Sequence, residues 1–206
     1  MALIKLNNRG VKDATAFGSI SSLGSLTLIQ KQTASSSASI SFTSGIDSTY
    51  KEYIFYFVNI HPSSDSAEFS FQADTGTNTN YNQTITSTFF KAQQRQDNVV
   101  KSVSYDSGAD LGQSTSFQRL GFNIDASQGS DNFSGYLHIF NPSSSTFVKH
   151  FYSTNNYTYD GDGNEQYSFN TYIGGYFNTT TALTRFQFKM ESGNIDAGDI
   201  LLYGVN

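Results

Sequence analysis

Apolar and polar positions alternate with a period of two along much of the chain. In Ser39-Ile40-Ser41-Phe42-Thr43, in Glu68-Phe69-Ser70-Phe71-Gln72 and in Arg185-Phe186-Gln187-Phe188-Lys189-Met190 the apolar residues fall on one side of an extended backbone. Each stretch therefore predicts a strand with one dry face and one wet face. Tyr53 to Val58 is instead almost continuously apolar and aromatic, as expected for a strand covered on both faces or lying in a subunit contact. Further strands are predicted over Leu26–Lys31, Thr84–Lys91, Val99–Ser104, Phe117–Ile124, Phe133–Phe140, Phe147–Ser153, Tyr167–Tyr176 and Ile200–Gly204. No window carries a helical stripe. The first 25 residues show no sustained period and are broken by Gly10, Gly18 and Gly24, which reads as an extended arm ahead of a body over residues 26–206.

About ten to twelve short strands separated by Ser, Gly, Asn and Asp turns predict an all-β fold, an antiparallel sandwich of jelly-roll type. The gaps are too short for crossover helices, so the pairing is antiparallel. Ile60-His61-Pro62-Ser63-Ser64 and Phe140-Asn141-Pro142-Ser143-Ser144 each close an aromatic-rich strand. Proline there removes a donor where a ladder must stop, which suggests similar hairpins in the two sheets.

Composition supports this reading. Thirty Ser, 20 Thr, 17 Asn and 17 Gly among 206 residues oppose helix, while 18 Phe and 13 Tyr supply the apolar area that offsets ordering entropy. With no Cys there is neither a disulfide framework nor a thiolate metal site. A net charge of −5 disfavours nucleic acid and anionic membranes as partners. Lys5, Arg9 and Lys12 precede the first acid, Asp13, and mark the arm as a basic segment that can dock on an acidic partner. The start MALIKLNNRG lacks the apolar run of a secretory signal, so synthesis in the cytosol is expected. The N-x-S/T triplets at Asn82, Asn132, Asn156 and Asn178 are discounted in a chain so rich in Asn, Ser and Thr.

Candidate chemistry is sparse. There is no G-x-S-x-G elbow, and His61, His138 and His150 are the only histidines. The expectation is therefore a protein with no catalytic residues and no cofactor. A five-residue loop over Pro142–Thr146 would pair Asn141 with Phe147 and set His138 opposite His150. Asp160-Gly-Asp162-Gly-Asn164-Glu165 places oxygen ligands at alternate positions like the start of a calcium loop. It then departs from that pattern, with Glu where Gly is needed and Thr171 at the closing position, so it reads as an acidic turn and no metal is assigned. The late tyrosines, Tyr157 and Tyr159 foremost, suit core packing or a subunit contact; exposed, they would stack on sugars.

The stretches Ser134–Phe151, Gly175–Ala182 and Phe188–Gly204, closing on SGNIDAGDILLYG, resemble a family of virion structural proteins of marine tailed phages, cyanophages included. Tyr53 to Thr75 resembles the first half of the same family, so the likeness spans most of residues 50–206. It implies a non-enzymatic component of the virion exterior (capsid decoration, fibre or tail), assembled in the host cytoplasm. Beside it, the basic arm and the sandwich body lead to the expectation of a homo-oligomer, a homotrimer first, anchored to other virion proteins through Lys5, Arg9 and Lys12. The rival expectation is a receptor-binding module that uses Tyr157 and Tyr159 on host surface glycans.

Overall fold

The computed structural model describes residues 25–127, 129–161 and 165–206, with the backbone alone described at 160, 161 and 165. Lys5, Arg9 and Lys12, with the rest of the expected arm over residues 1–24, lie outside the described residues, as does most of the calcium-like turn over Asp160–Glu165.

The described residues form twelve strands, in chain order β1 (Leu26–Thr33), β2 (Ile40–Phe42), β3 (Glu52–Pro62), β4 (Ala67–Asp74), β5 (Ile85–Arg95) and β6 (Lys101–Tyr105), then β7 (Gln118–Ile124), β8 (Phe133–Phe140), β9 (Lys149–Gly161), β10 (Glu165–Phe177), β11 (Arg185–Met190) and β12 (Ile195–Val205). They build an eight-stranded sheet in the order β1-β12-β3-β8-β9-β10-β5-β6 and a four-stranded sheet in the order β2-β11-β4-β7. Every pairing is antiparallel. Without the pairs β5–β6 and β9–β10, the remaining strands form two four-stranded sheets, β1-β12-β3-β8 over β2-β11-β4-β7. That is jelly-roll topology. The two extra pairs both extend the same sheet, which makes the sandwich asymmetric.

The core is aromatic because the two sheets meet through alternate Phe residues. Phe55 and Phe57 of β3 face Phe186 and Phe188 of β11 and Phe69 and Phe71 of β4, all of them buried. The Phe188 ring lies 5.0 Å from that of Phe55 and 5.3 Å from that of Phe57, in edge-on contacts that add to plain area burial. One glycine is demanded by geometry: Gly198 sits in the irregular β12–β3 register at φ 113°, where a Cβ would lie 2.7 Å from Ile60 Cα.

Two expectations need correction. The proline turns are not equivalent: Pro62 ends β3, from which the chain crosses to β4 in the other sheet, whereas Pro142 lies in the connection between neighbours β8 and β9. That connection also runs from residue 141 to 148, longer than five residues, because Ser144 Oγ accepts from the amides of Thr146 and Phe147 and keeps both in the turn. The register therefore shifts by two, and His138 pairs with Tyr152 rather than His150. Strands β9 and β10 are longer than the alternation suggested. Polar Asn155 and Thr171 remain in the ladder beneath β7, where Asn155 Nδ2 donates to Thr171 Oγ1 (3.2 Å) and Thr171 Oγ1 donates to the Leu120 carbonyl (2.7 Å).

Candidate functional site

Side chains alternate across a pleated strand, so the register of the large sheet decides which residues share its outer side. From β3 these are Ile54, Tyr56 and Val58; the residues opposite them in β8 and β12 are His138, Tyr136, Tyr203 and Leu201. From β9 come His150 and Tyr152, and from β10 Tyr172 and Tyr176. Phe90 of β5 and Tyr105 of β6 continue the row toward the far edge.

These side chains touch one another and form a surface. Tyr56 meets Tyr203 at 5.5 Å between ring centroids and Tyr136 at 6.3 Å. His138 lies flat on Tyr152 at 4.4 Å with 12° between the ring planes, and Phe90 stacks on Tyr172 at 5.2 Å. Despite these mutual contacts Tyr152 is 40% exposed and Val58 42% exposed, so the rings cover each other only in part. Burial, followed by the nearby Tyr136 and Glu52, pushes the Tyr152 hydroxyl pKa up.

Charges are few here. Among the described side chains aligned on the outer side of the sheet, the acids are Glu52 and Asp199, and the cations, Lys31 and Lys101, stand on the two edge strands β1 and β6. Both acids are partnered: Glu52 contacts His138 Nδ1, and Asp199 pairs with Lys31 Nζ of β1 at 2.8 Å. The result is a charge-poor, Tyr-rich sheet surface several strands wide, of the composition enriched in the cores of protein interfaces.

Tyr157 and Tyr159, the tyrosines expected to meet sugar if exposed, belong to the opposite side of β9. Tyr157 is 1% exposed; its ring stacks between Phe133 (5.6 Å) and Phe169 (5.5 Å), and its hydroxyl accepts from the Phe122 amide at 3.2 Å. Burial drives its pKa well above the usual tyrosine value. Its ring has no free face for a saccharide. Tyr159 is half-buried and packs on Phe169 at 5.8 Å and Tyr167 at 5.7 Å. The register puts Tyr152 outside and Tyr157 inside, a distinction the run of tyrosines does not reveal.

A second surface lies on the outer side of the small sheet, where a cleft of about 450 Å³ opens between β4, β7, β11 and the 106–117 loop. Glu68 and Glu191 face each other in it beside Arg119, whose Nε contacts Glu68 and whose Nη1 donates to the Gly108 carbonyl at 2.9 Å. Burial, then sharing of a proton with Glu191, pushes the Glu68 carboxyl up to about 7 against the pull of Arg119, while Glu191 is lowered by the same hydrogen bond. Lys189 stands 4.2 Å over the Phe117 ring and closes one wall. Glu68, Glu191 and Arg119 engage one another, yet one buried Glu68 oxygen is left without a well-aligned hydrogen-bond donor. Among the described residues no three His, Asp or Glu side chains come close enough to hold a metal ion.

Comparison with protein-family models, with curated proteins and with solved structures found no match. The surfaces of the molecule itself are therefore the main guide to its function.

Proposed function

We propose that the chain is a non-enzymatic structural component of the exterior of a tailed-phage particle, working by lasting contact, as a capsid decoration, fibre or tail subunit. The observation that carries this reading is the aromatic outer side of the large sheet. A sheet face that stays wet is usually lined with Lys, Glu, Ser and Thr, whereas this one presents Tyr56, Tyr136, Tyr152 and Tyr203 with Val58 and Leu201 between them. Rigid aromatic rings give large contact area at low entropic cost, which suits an assembly contact. The resemblance read in the sequence over most of residues 50–206 to marine phage virion proteins points the same way, and so does the jelly-roll topology, a scaffold common in viral shells. In this reading the chain assembles as a homo-oligomer, a homotrimer first, and Lys5, Arg9 and Lys12 attach it to neighbouring virion proteins.

The test is where the protein resides. Antibody raised against the purified chain is expected to label the outside of intact phage particles, and mass spectrometry of washed particles should find the chain in a fixed ratio to the major shell protein. Its absence from washed particles would reject the proposal, as would steady release of oligosaccharide from host polysaccharide.

A further inference from the structure

We infer that the aromatic outer side of the large sheet is covered in solution by a second copy of this chain. The inference rests on the reading of the protein as a self-assembling component and names the surface through which it assembles.

Three observations select a second copy as the occupant. The first is size. The six strands from β12 to β5, at a spacing of about 4.8 Å and over some six residues of about 3.3 Å each, make a plane of about 570 Å². A stable complex buries about 800 Å² on each partner, so the ring-bearing strands supply most of one half of a standard interface and lie at the upper end of the patch a monomer usually exposes.

The second is charge. A surface that meets its own copy must not bring like charges together, because symmetry doubles every repulsion. Here the aligned acids are Glu52 and Asp199, the first held by His138 and the second by Lys31, and the middle of the surface around Tyr56, Tyr136 and Tyr152 carries no formal acid or base apart from the His138 ring. With the chain at −5, a strongly basic partner would be expected to meet a row of carboxylates, and among the described side chains the middle of this face has none.

The third is the contrast with the opposite side of the sandwich. The small sheet is finished by the chain itself: Gln72 of β4 is fully buried and its Nε2 donates to the carbonyls of Gln83 and Ser116, each at 2.9 Å, which holds two connecting segments over that side. No described segment is held in this way across the middle of the large sheet.

The experiment uses the full chain. Native mass spectrometry and light scattering at micromolar concentration should give twice 22.7 kDa or a higher whole multiple of it. Val58→Lys with Tyr152→Lys places two cations on exposed positions of the face, and each copy in the contact would add its own pair. The double variant should keep the wild-type far-UV spectrum and shift to a single-chain mass, with a rise in dissociation constant of at least about a hundredfold. Ser192→Lys, in the exposed turn between β11 and β12, should leave the mass unchanged. A wild-type chain that stays single at every concentration overturns the inference and assigns the face to another partner. If that chain is nevertheless found on particles, the proposed function stands without it. A double variant that keeps the multiple mass overturns the assignment of this face while leaving self-assembly intact.

Discussion

The two outer sides of the sandwich start from similar alternating strands and are finished in different ways. On the small sheet, Glu68, Arg119, Lys189 and Glu191 form a charged network in a cleft, and the 106–117 loop is tied down beside it through Arg119 and Gln118. On the large sheet, the corresponding outward positions carry rings that lean on one another and remain partly exposed. A sheet must satisfy its outer side with water, with its own loops or with a partner. The small sheet uses the first two, and its polar residues agree with that. The large sheet has residues suited to the third.

Strand β9 contains the comparison in miniature, and breaking it there gives the largest effect. Tyr157 and Tyr152 lie five residues apart on opposite sides of one strand, one in the core and one outside. Tyr157→Ala should cost about 3–5 kcal/mol, since it opens a cavity among Phe133, Phe169 and Gly121 and leaves the Phe122 amide without its acceptor. Tyr152→Ala should cost under about 1 kcal/mol in dilute protein, because the ring is already part-exposed. Denaturant melts of both variants check this. Comparable losses in dilute conditions would mean that the outer rings are part of the monomer core and are not free to receive a partner. A Tyr152→Ala penalty that grows with protein concentration would tie the same ring to assembly.

The contrast between sides is only partly legible in the sequence. All twelve strands coincide with predicted apolar stretches, because Phe at alternate positions, as in Phe186-Gln187-Phe188, leaves little freedom over which side goes inward. In β9 that signal fails: Phe151, Ser153, Asn155 and Tyr157 alternate with Tyr152, Thr154, Asn156 and Thr158, and both sets mix aromatic with polar residues. Only the docking of β7 over Asn155 and Thr171 decides which set is buried. The His138 register is hidden for a similar reason, since it depends on how Ser144 folds the 141–148 turn rather than on pattern. The Glu68–Glu191–Arg119 network is not visible in the sequence at all. Its members come from β4, β7 and the residue just after β11, and they meet because the chain order of the small sheet brings distant strands side by side.

That network sharpens the comparison through pH, with an intermediate effect. A carboxyl raised from 4.5 to about 7 in the folded protein binds a proton that the unfolded chain has lost, so its contribution is complete below about pH 4.5 and disappears as pH climbs through 7. Glu191 is lowered, so its contribution is lost only at the acid end, as pH falls through its folded value, and the interval between pH 5 and pH 8 reports on Glu68. The net expectation is a loss of about 1 kcal/mol between pH 5 and pH 8, which Glu68→Gln should flatten. Melting temperatures of both proteins across that range test it. A wild-type curve that rises with pH, or a variant with the same slope, would show that Arg119 holds Glu68 ionised and that the cleft is an ordinary ion pair.

The smallest effect is expected at the rim of the aromatic face. Lys31 and Asp199 join β1 to β12 at 2.8 Å, and the lysine, then Thr33, hold the Asp199 carboxyl below the usual carboxylate range. The lysine side chain is half exposed, so the pair is solvated and screened by salt, and Lys31→Ala should cost under about 0.5 kcal/mol. The difference from wild type should shrink further in high salt and vanish as the pH falls far enough to protonate Asp199. Its larger consequence belongs to assembly: removing Lys31 leaves Asp199 uncompensated beside Val58, and two copies meeting through this face would then each bring a bare carboxylate. Association of the variant should slow at low salt and recover at high salt while its dilute melting temperature barely moves. A salt-independent drop of several degrees would instead place this ion pair in the structural core of the sheet edge, and the rim would no longer be separable from the fold.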